Sequence, residues 1–459
     1  MEIGRMTTNN DSAQKRTHWE FIILGCMFIG YMGFILSRTV LAVAGPEMVN
    51  DPNLGLDEAS FGDIAAWGMA GMITGKLLTG VIADWLGGRR VFLVALSITA
   101  LLTVTFSWGT STTIFASINF LMLFAMAASW PSMASIISVW FPSTKYGRVW
   151  GILSTSSRLG ASLSMILLGT LLTVFSWQNV FRTAGVISFC VVICISFYLK
   201  ANPKNVGLPA LKDQVAPEGS DRQDEPNTEQ KAPHFLDDKN PAEALWAFAR
   251  SGRFWLICSS LMCTTILMDF IIFLPQYLTS FEGVSSAQAG SWASAFPIGC
   301  LLALVGGGFI YDRVSRKGRV GLLGGLLGAT CVCVAALWCL KGLPMIPDSF
   351  KFPLAIVILF FYGFTLAPAY YLPASVFSNE FGGKHCALLV GLVDVAGYSA
   401  SMLFLIAGGR MVMNWGWQSM IQSFLVIAAL ATLITILFAF EDYKTFHTNR
   451  LGRSASKFG

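Results

Sequence analysis

The sequence predicts an all-α polytopic membrane protein with twelve transmembrane helices in two six-helix halves. Three observations carry this. The chain of 459 residues is 54% hydrophobic and only 12% charged, about half the charged share of an ordinary soluble chain. Its apolar residues gather into long stretches, each near the ~20 residues needed to cross a bilayer. Its basic residues sit beside the ends of those stretches, so the net charge of +5 reads as membrane orientation and not as nucleic-acid binding.

The elements follow in order. Residues 1–19 form a polar N-terminal segment, too long and mixed for the basic start of a secretory signal, and no small-residue cleavage site follows. Six apolar stretches then make the first half, 20–200: approximately 20–45, 59–84, 90–108, 112–140, 146–175 and 178–200. Residues 201–252 are rich in Asp, Glu, Gln, Lys and Pro without an apolar period, and read as a linker. Six more stretches make the second half, 253–440: approximately 253–281, 286–311, 317–340, 351–378, 383–412 and 416–440. A basic tail, 441–459, ends the chain.

Basic residues fix the expected orientation. With the N-terminus in the cytoplasm, Lys15, Arg16, Arg89, Arg90, Lys145, Arg148, Arg313, Arg316, Lys317, Arg319 and Lys384 all fall inside, with the linker and tail. Outside lie Arg182, Lys341, Lys351 and Arg410, and the first outer loop, 46–58, holds no basic residue. Both termini are therefore expected in the cytoplasm of a plasma or inner membrane. The ten cysteines lie mostly within apolar stretches and none has zinc-site spacing with a histidine, so they read as small apolar residues. No metal and no cofactor are expected. Asp63, Glu47, Asp57 and Glu58 near the outer loop read as solvated.

The halves repeat weakly. Gly80-Val-Ile-Ala-Asp84 followed by Gly87, Gly88, Arg89 and Arg90 has a counterpart in Gly308-Phe-Ile-Tyr-Asp312 followed by Arg313 and Arg316. Trp177-Gln178 and Trp417-Gln418 each open the sixth stretch of their half. The first run, Gly80 through Arg90, resembles the loop motif of the major facilitator superfamily. Glycine there permits close packing and a tight turn, and an aspartate can hold a helix N-terminus or a basic residue in one state and release it in another. Asp84, Arg89, Arg90 and Asp312 are thus expected to gate; a charged turn that only orients the helices is the alternative.

Further segments are similar to the organophosphate:phosphate antiporter branch of that superfamily. They are Gly30-Tyr31-Met-Gly-Phe-Ile-Leu-Ser-Arg38, Gly75-Lys76-Leu-Leu-Thr-Gly80, Trp130-Pro131, Asn202-Pro203-Lys-Asn-Val-Gly207-Leu208-Pro209 and Gly391-Leu-Val-Asp394-Val-Ala-Gly397-Tyr398. The resemblance implies the fold and an anionic substrate. One departure stands out. The branch usually carries a second arginine in the seventh helix, where this chain reads Thr264-Thr265-Ile-Leu267-Met268-Asp269-Phe270.

Ionisable groups within a span are costly, so each is a functional candidate. Arg38 can hold a carboxylate or phosphate through two hydrogen bonds, or it can snorkel outward. Tyr31, seven residues earlier, lies on nearly the same face. Lys76 faces either the cavity or the interface. Arg158, in line with Ser154 and Ser162, binds substrate or pairs with an acid. Asp394 and Tyr398 share a face, four residues apart. Asp269 and Asp394 either couple a proton to the cycle or form fixed salt bridges with Arg38 or Arg158. Trp67, Tyr362, Tyr370 and Tyr371 line a cavity or simply pack.

No catalytic constellation or nucleotide-binding loop is recognised, so neither an enzyme nor an ATP-driven pump is expected. The expected function is secondary active transport of a small organic anion, an organophosphate or a carboxylate, by alternating access. The substrate-binding set is Arg38, Lys76, Arg158, Tyr31 and Tyr398. Asp269 and Asp394 couple a proton or inorganic phosphate, or reset the empty carrier. The working unit is expected to be a monomer in the lipid bilayer, with no nucleic acid. A membrane substrate sensor of the same fold and a proton-coupled exporter of another small solute are the rival readings.

Overall fold

The structure, a computed structural model, describes residues 2–142, 145–209, 240–340, 342, 344–382 and 385–455, with side chains undescribed at 2–13, at 446–455 and at scattered helical positions. The centre of the linker lies outside the described residues.

The first half comprises α1 (Glu2–Val49), α2 (Glu58–Leu86), α3 (Gly88–Phe106), α4 (Thr112–Met126), α5 (Ser129–Trp140), α6 (Tyr146–Leu171) and α7 (Trp177–Tyr198). The fourth span is α4 and α5 in succession, broken at Ala127 and Ala128. The second half comprises α8 (Pro241–Ala249), α9 (Gly252–Asp269), α10 (Leu274–Thr279), α11 (Ser286–Trp292), α12 (Ala295–Arg313), α13 (Arg316–Leu340), α14 (Asp348–Gly382) and α15 (Cys386–Ala455). Here α9 with α10 make the seventh span and α11 with α12 the eighth. Within α15, Gly416 takes φ 75° and divides the eleventh span from the twelfth.

Ten described helices are long and apolar enough to cross a bilayer, with most of α15 counted once. Separating α15 at Gly416 and adding the 29-residue α2 gives the twelve spans. Trp177 opens α7 and Trp417 follows the break at Gly416, so the repeated Trp-Gln pairs do mark the last span of each half. An even number of spans in each half puts the chain termini and the link between halves at one end of the bundle, here the terminal end. The opposite end is the far end.

Local chemistry explains the boundaries. Asp57 caps α2 by accepting the Ser60 N–H at 2.7 Å, and the Ser60 N–H and hydroxyl hold its carboxyl below the usual range. Gly87 turns α2 into α3 in a single residue at φ 83°, where a side chain is strained. A Cβ on Gly88 would lie 2.5 Å from the Ser132 carbonyl oxygen, so the neighbouring glycine serves close packing. Asn240 and Glu243 form a capping box at the start of α8. This short helix falls within the stretch read as linker, because its apolar period is only nine residues long. At both ends helix outruns membrane: α1 starts at Glu2 and α15 runs on to Ala455. Bilayer thickness limits the apolar stretch, whereas a helix continues until a breaker residue stops it.

Among the described residues the apolar core falls into three clusters. One spans both halves toward the far end, joining Val40, Phe61 and Met165 to Phe273, Leu274 and Leu405. The other two lie toward the terminal end, one in each half: Met27, Phe92, Trp140 and Leu153 in the first, Phe248, Phe254, Phe377 and Phe438 in the second. Backbone contacts follow the same division. At the far end a Cβ on Gly62 would lie 2.5 Å from Leu405 O, one on Gly409 2.3 Å from Glu58 O, and one on Gly169 2.4 Å from Ser291 N. Toward the terminal end, a Cβ on Gly151 or Gly391 would meet nothing within 4 Å among the described residues. The halves are therefore closed against each other at the far end and parted at the terminal end.

Candidate functional site

Midway along the bundle, three basic side chains of the first half reach across to the second. Arg38, on α1, places Nη2 3.4 Å from Asp269 Oδ1. Asp269 ends α9, where Pro275 in the next helical turn and the intervening 3-10 turn Phe270–Ile272 break the seventh span. Its other carboxylate oxygen accepts the Ser401 hydroxyl of α15 at 2.5 Å. Lys76, on α2, puts Nζ 2.5 Å from Asp394 Oδ2 on α15 and 5.0 Å from the ring centre of Tyr398, one turn further along. Arg158, on α6, donates from Nε to the Tyr371 hydroxyl at 2.9 Å and from Nη2 to the same oxygen. Tyr371 lies on α14 between Pro368 and Pro373, each of which removes a helical hydrogen bond and bends the helix.

The aromatic wall completes the site. Tyr31 accepts the Trp130 Nε1–H at 2.8 Å, and Trp130 stacks on Trp150 with centres 5.2 Å apart. Tyr370 meets Tyr371 edge to face at 4.6 Å. Tyr398, from the second half, packs against the shared far-end core and against the first half's own core, and so stands at the junction itself.

Solvent reaches this cluster without dissolving it. The Arg38 and Asp394 side chains are 27% and 33% exposed, while Asp269 is 10% exposed. Among the described residues, Arg38, Lys76 and Arg158 face two carboxylates, which leaves one positive charge in excess. A guanidinium can exchange one carboxylate partner for a phosphate or carboxylate of similar geometry. The passage toward the far end is filled by Phe61 and Phe273, whose rings meet across the halves at 5.8 Å. Beyond it lies a cavity of about 470 Å³ lined by Glu47, Glu58, Gln276, Ser286 and Trp417. That cavity is lined by none of the basic groups and is a vestibule beyond the seal.

The residues singled out from sequence fall into three groups. Arg38, Lys76, Arg158, Tyr398, Asp269 and Asp394 converge at the junction, with Tyr31 behind them against Trp130. The partner of Arg158 is a tyrosine and not an acid, and Ser154 and Ser162 donate to carbonyls of their own helix, those of Trp150 and Arg158. Arg89 donates to the Ser196 carbonyl at 3.0 Å and to that of Leu199, closing the C-terminus of α7 within its own half, and Arg90 is exposed. The side chains of Asp84 and Asp312 lie outside the described residues.

Sequence reading missed two features, the Lys76–Asp394 pair and Ser401. The second had a signal, because Asp394, Tyr398 and Ser401 are spaced by four and three residues and so form one polar stripe. The first had none, because 318 residues separate the partners.

Two six-helix halves around a midplane charged site, sealed at one end and parted at the other, define a secondary carrier of the alternating-access kind. The chain belongs to the Major Facilitator Superfamily, whose family model matches residues 27–285 and 270–457. It is 23% identical over 423 residues to a probable hexose phosphate transport protein of Chlamydia trachomatis serovar D, covering 91% of this chain and 90% of that one. It is 24% identical over 319 residues to the probable galactarate/D-glucarate transporter GarP of Escherichia coli K12, covering 67% and 70%. Its fold matches the crystal structure of a D-xylose-proton symporter with a TM-score of 0.70 at 14% identity, over 92% of this chain and 97% of that one. The protein is thus a multi-pass carrier and not an enzyme.

Proposed function

We propose that this carrier moves a small organic anion, a sugar phosphate or a sugar-derived carboxylate, and that Arg38, Lys76 and Arg158 bind it. The observation that carries this is the convergence of three basic side chains from one half on the mid-bundle junction, with one positive charge in excess. Basic groups held within a bilayer are costly, and an anionic cargo offsets that cost. The names of the relatives, hexose phosphate on one side and galactarate or D-glucarate on the other, agree with the charge although they differ in chemistry. Tyr31 holds the site through Trp130, and Tyr398 supplies a ring beside Lys76.

The positive flanks put both termini in the cytoplasm of a plasma or inner membrane. On that orientation the far end is external, the parted end opens to the cytoplasm, and the carrier works as a monomer. Asp269 and Asp394 couple the cycle to a second ion, a proton or inorganic phosphate, or reset the empty site. Asp84 and Asp312 keep the gating role that the loop motif suggests, and Arg89 contributes by fixing the end of α7.

Counterflow in proteoliposomes tests the cargo. Labelled hexose 6-phosphate, galactarate and D-glucarate are each offered against the same unlabelled anion. At least one should exchange, and Arg38→Lys, which keeps charge but loses the two-pronged geometry, should raise its half-saturation concentration by about 10- to 100-fold. Unaltered exchange in Arg38→Lys would remove Arg38 from the site. Binding without flux for every anion would make the protein a receptor instead.

A further inference from the structure

We infer that the empty carrier resets itself, so that this protein performs net transport and not obligate exchange; the inference rests on the reading of Arg38 and Lys76 as anion-binding groups. A carrier returns empty only if its site tolerates passage through a closed, dry state. An empty site holding bare basic groups resists that passage, because desolvating an unpaired charge is costly. Such a carrier moves only when loaded, which makes it an exchanger.

Here the second half brings its own substitutes. Asp269 occupies Arg38 and Asp394 occupies Lys76. Both pairs join opposite halves, so they form where cargo would otherwise bridge them. The remaining cation, Arg158, is held across the junction by the neutral hydroxyl of Tyr371. Among the described residues the empty cluster is left with a single positive charge. Cargo of one or two negative charges brings it to zero or one negative, so empty and loaded sites both stay within one charge of neutrality.

The carboxylates are also placed to yield. Asp269 keeps the Ser401 hydroxyl at 2.5 Å as a partner within its own half when cargo takes Arg38. The Asp394 side chain is one-third exposed, at 33%, and turns to water when cargo takes Lys76. Each basic group therefore exchanges one anionic partner for another, and the two occupants compete for the same positions.

Two measurements decide the matter. The first uses proteoliposomes loaded with labelled hexose 6-phosphate or D-glucarate and diluted into buffer with or without the same anion outside. Net efflux should lie within about tenfold of exchange, and a wider gap would overturn the inference. In the Asp269→Asn/Asp394→Asn double variant, the ratio of net efflux to exchange should fall at least about tenfold. An unchanged ratio would also overturn it.

The second measurement uses no cargo. Hydrogen exchange is followed in ligand-free protein in lipid nanodiscs, at the far-end backbone around Glu58 and Gly409. Unpaired Arg38 and Lys76 need the water of the parted terminal end, so the double variant should keep the far end shut. Exchange there should slow by at least about tenfold relative to the unsubstituted protein, and equal rates would refute self-reset. Silence of every anion in counterflow would fell the cargo assignment, while this cargo-free comparison would still decide whether the carboxylates reset the site.

Discussion

The far end of the bundle and the terminal end use the same helices but hold the halves in opposite ways. At the far end one apolar core runs through both halves, and Gly62, Gly169 and Gly409 bring backbones into direct contact. At the terminal end each half keeps its own core. Among the described residues, ion pairs there stay within a half: Glu20 with Lys145 at 2.6 Å in the first, Asp442 with Arg316 at 2.8 Å in the second. The polar links between halves that matter for cargo lie between these two ends.

The difference shows what a reversible seal requires. The far end is closed mainly by contact between small residues and apolar side chains, which act at short range and have few directional partners to break. Its Arg410–Asp63 pair crosses the halves at 3.3 Å, but both side chains are substantially exposed, so it contributes little. Where the seal meets the vestibule it contains a defect. Gln276 is 5% exposed, and among the described residues neither its Oε1 nor its Nε2 has a hydrogen-bond partner. Its amide lies against Gly45, where a Cβ would fall 3.1 Å from Nε2. Closure leaves that amide without a protein partner among the described residues, at the inner edge of the vestibule, whereas opening would expose it fully. The closed state is therefore less favoured than its packing alone would make it, as an alternating carrier needs.

The largest test breaks the seal directly. Gly409→Val forces a branched side chain into a contact that is already too close for a Cβ, at a cost of about 1–3 kcal/mol. Counterflow should fall at least about tenfold, and hydrogen exchange around Glu58 should rise. Wild-type behaviour in both would show that the far end is not held by close backbone approach.

Gln276→Leu sharpens the comparison in the other direction. Removing a buried amide without partners should stabilise the closed far end by about 1–3 kcal/mol. The melting temperature in detergent should rise while turnover slows. A fall in melting temperature would mean that the amide has a role in the closed state.

The smallest effect belongs to Arg410→Ala. Loss of an exposed pair should change stability by less than about 0.5 kcal/mol. A measured loss above about 1 kcal/mol in the same melting assay would show that charge, and not packing, holds the far end.

Much of the fold was legible in the sequence because the bilayer imposes a length on apolar runs and a sign on their flanks. The Trp-Gln repeats fell at the sixth and twelfth spans, and the paired glycines at 87 and 88 fell at the tight turn. Candidate site residues were legible through cost, since Arg38, Lys76, Arg158, Asp269 and Asp394 are all expensive within a span. Their partners were not legible. The choice of Tyr371 for Arg158, and of Asp394 for Lys76, depends on how α6 meets α14 and how α2 meets α15.

The sequence by itself determined a helical membrane protein in two related halves with buried charge at its middle. Each of those properties is a local consequence of moving a peptide segment from water into hydrocarbon. Only the tertiary structure decided which charges neutralise one another, which end is shut, and that Arg89 caps a helix of its own half. Those outcomes depend on contacts a few ångströms long between residues 107 to 318 positions apart, and no short-range pattern along the chain encodes them.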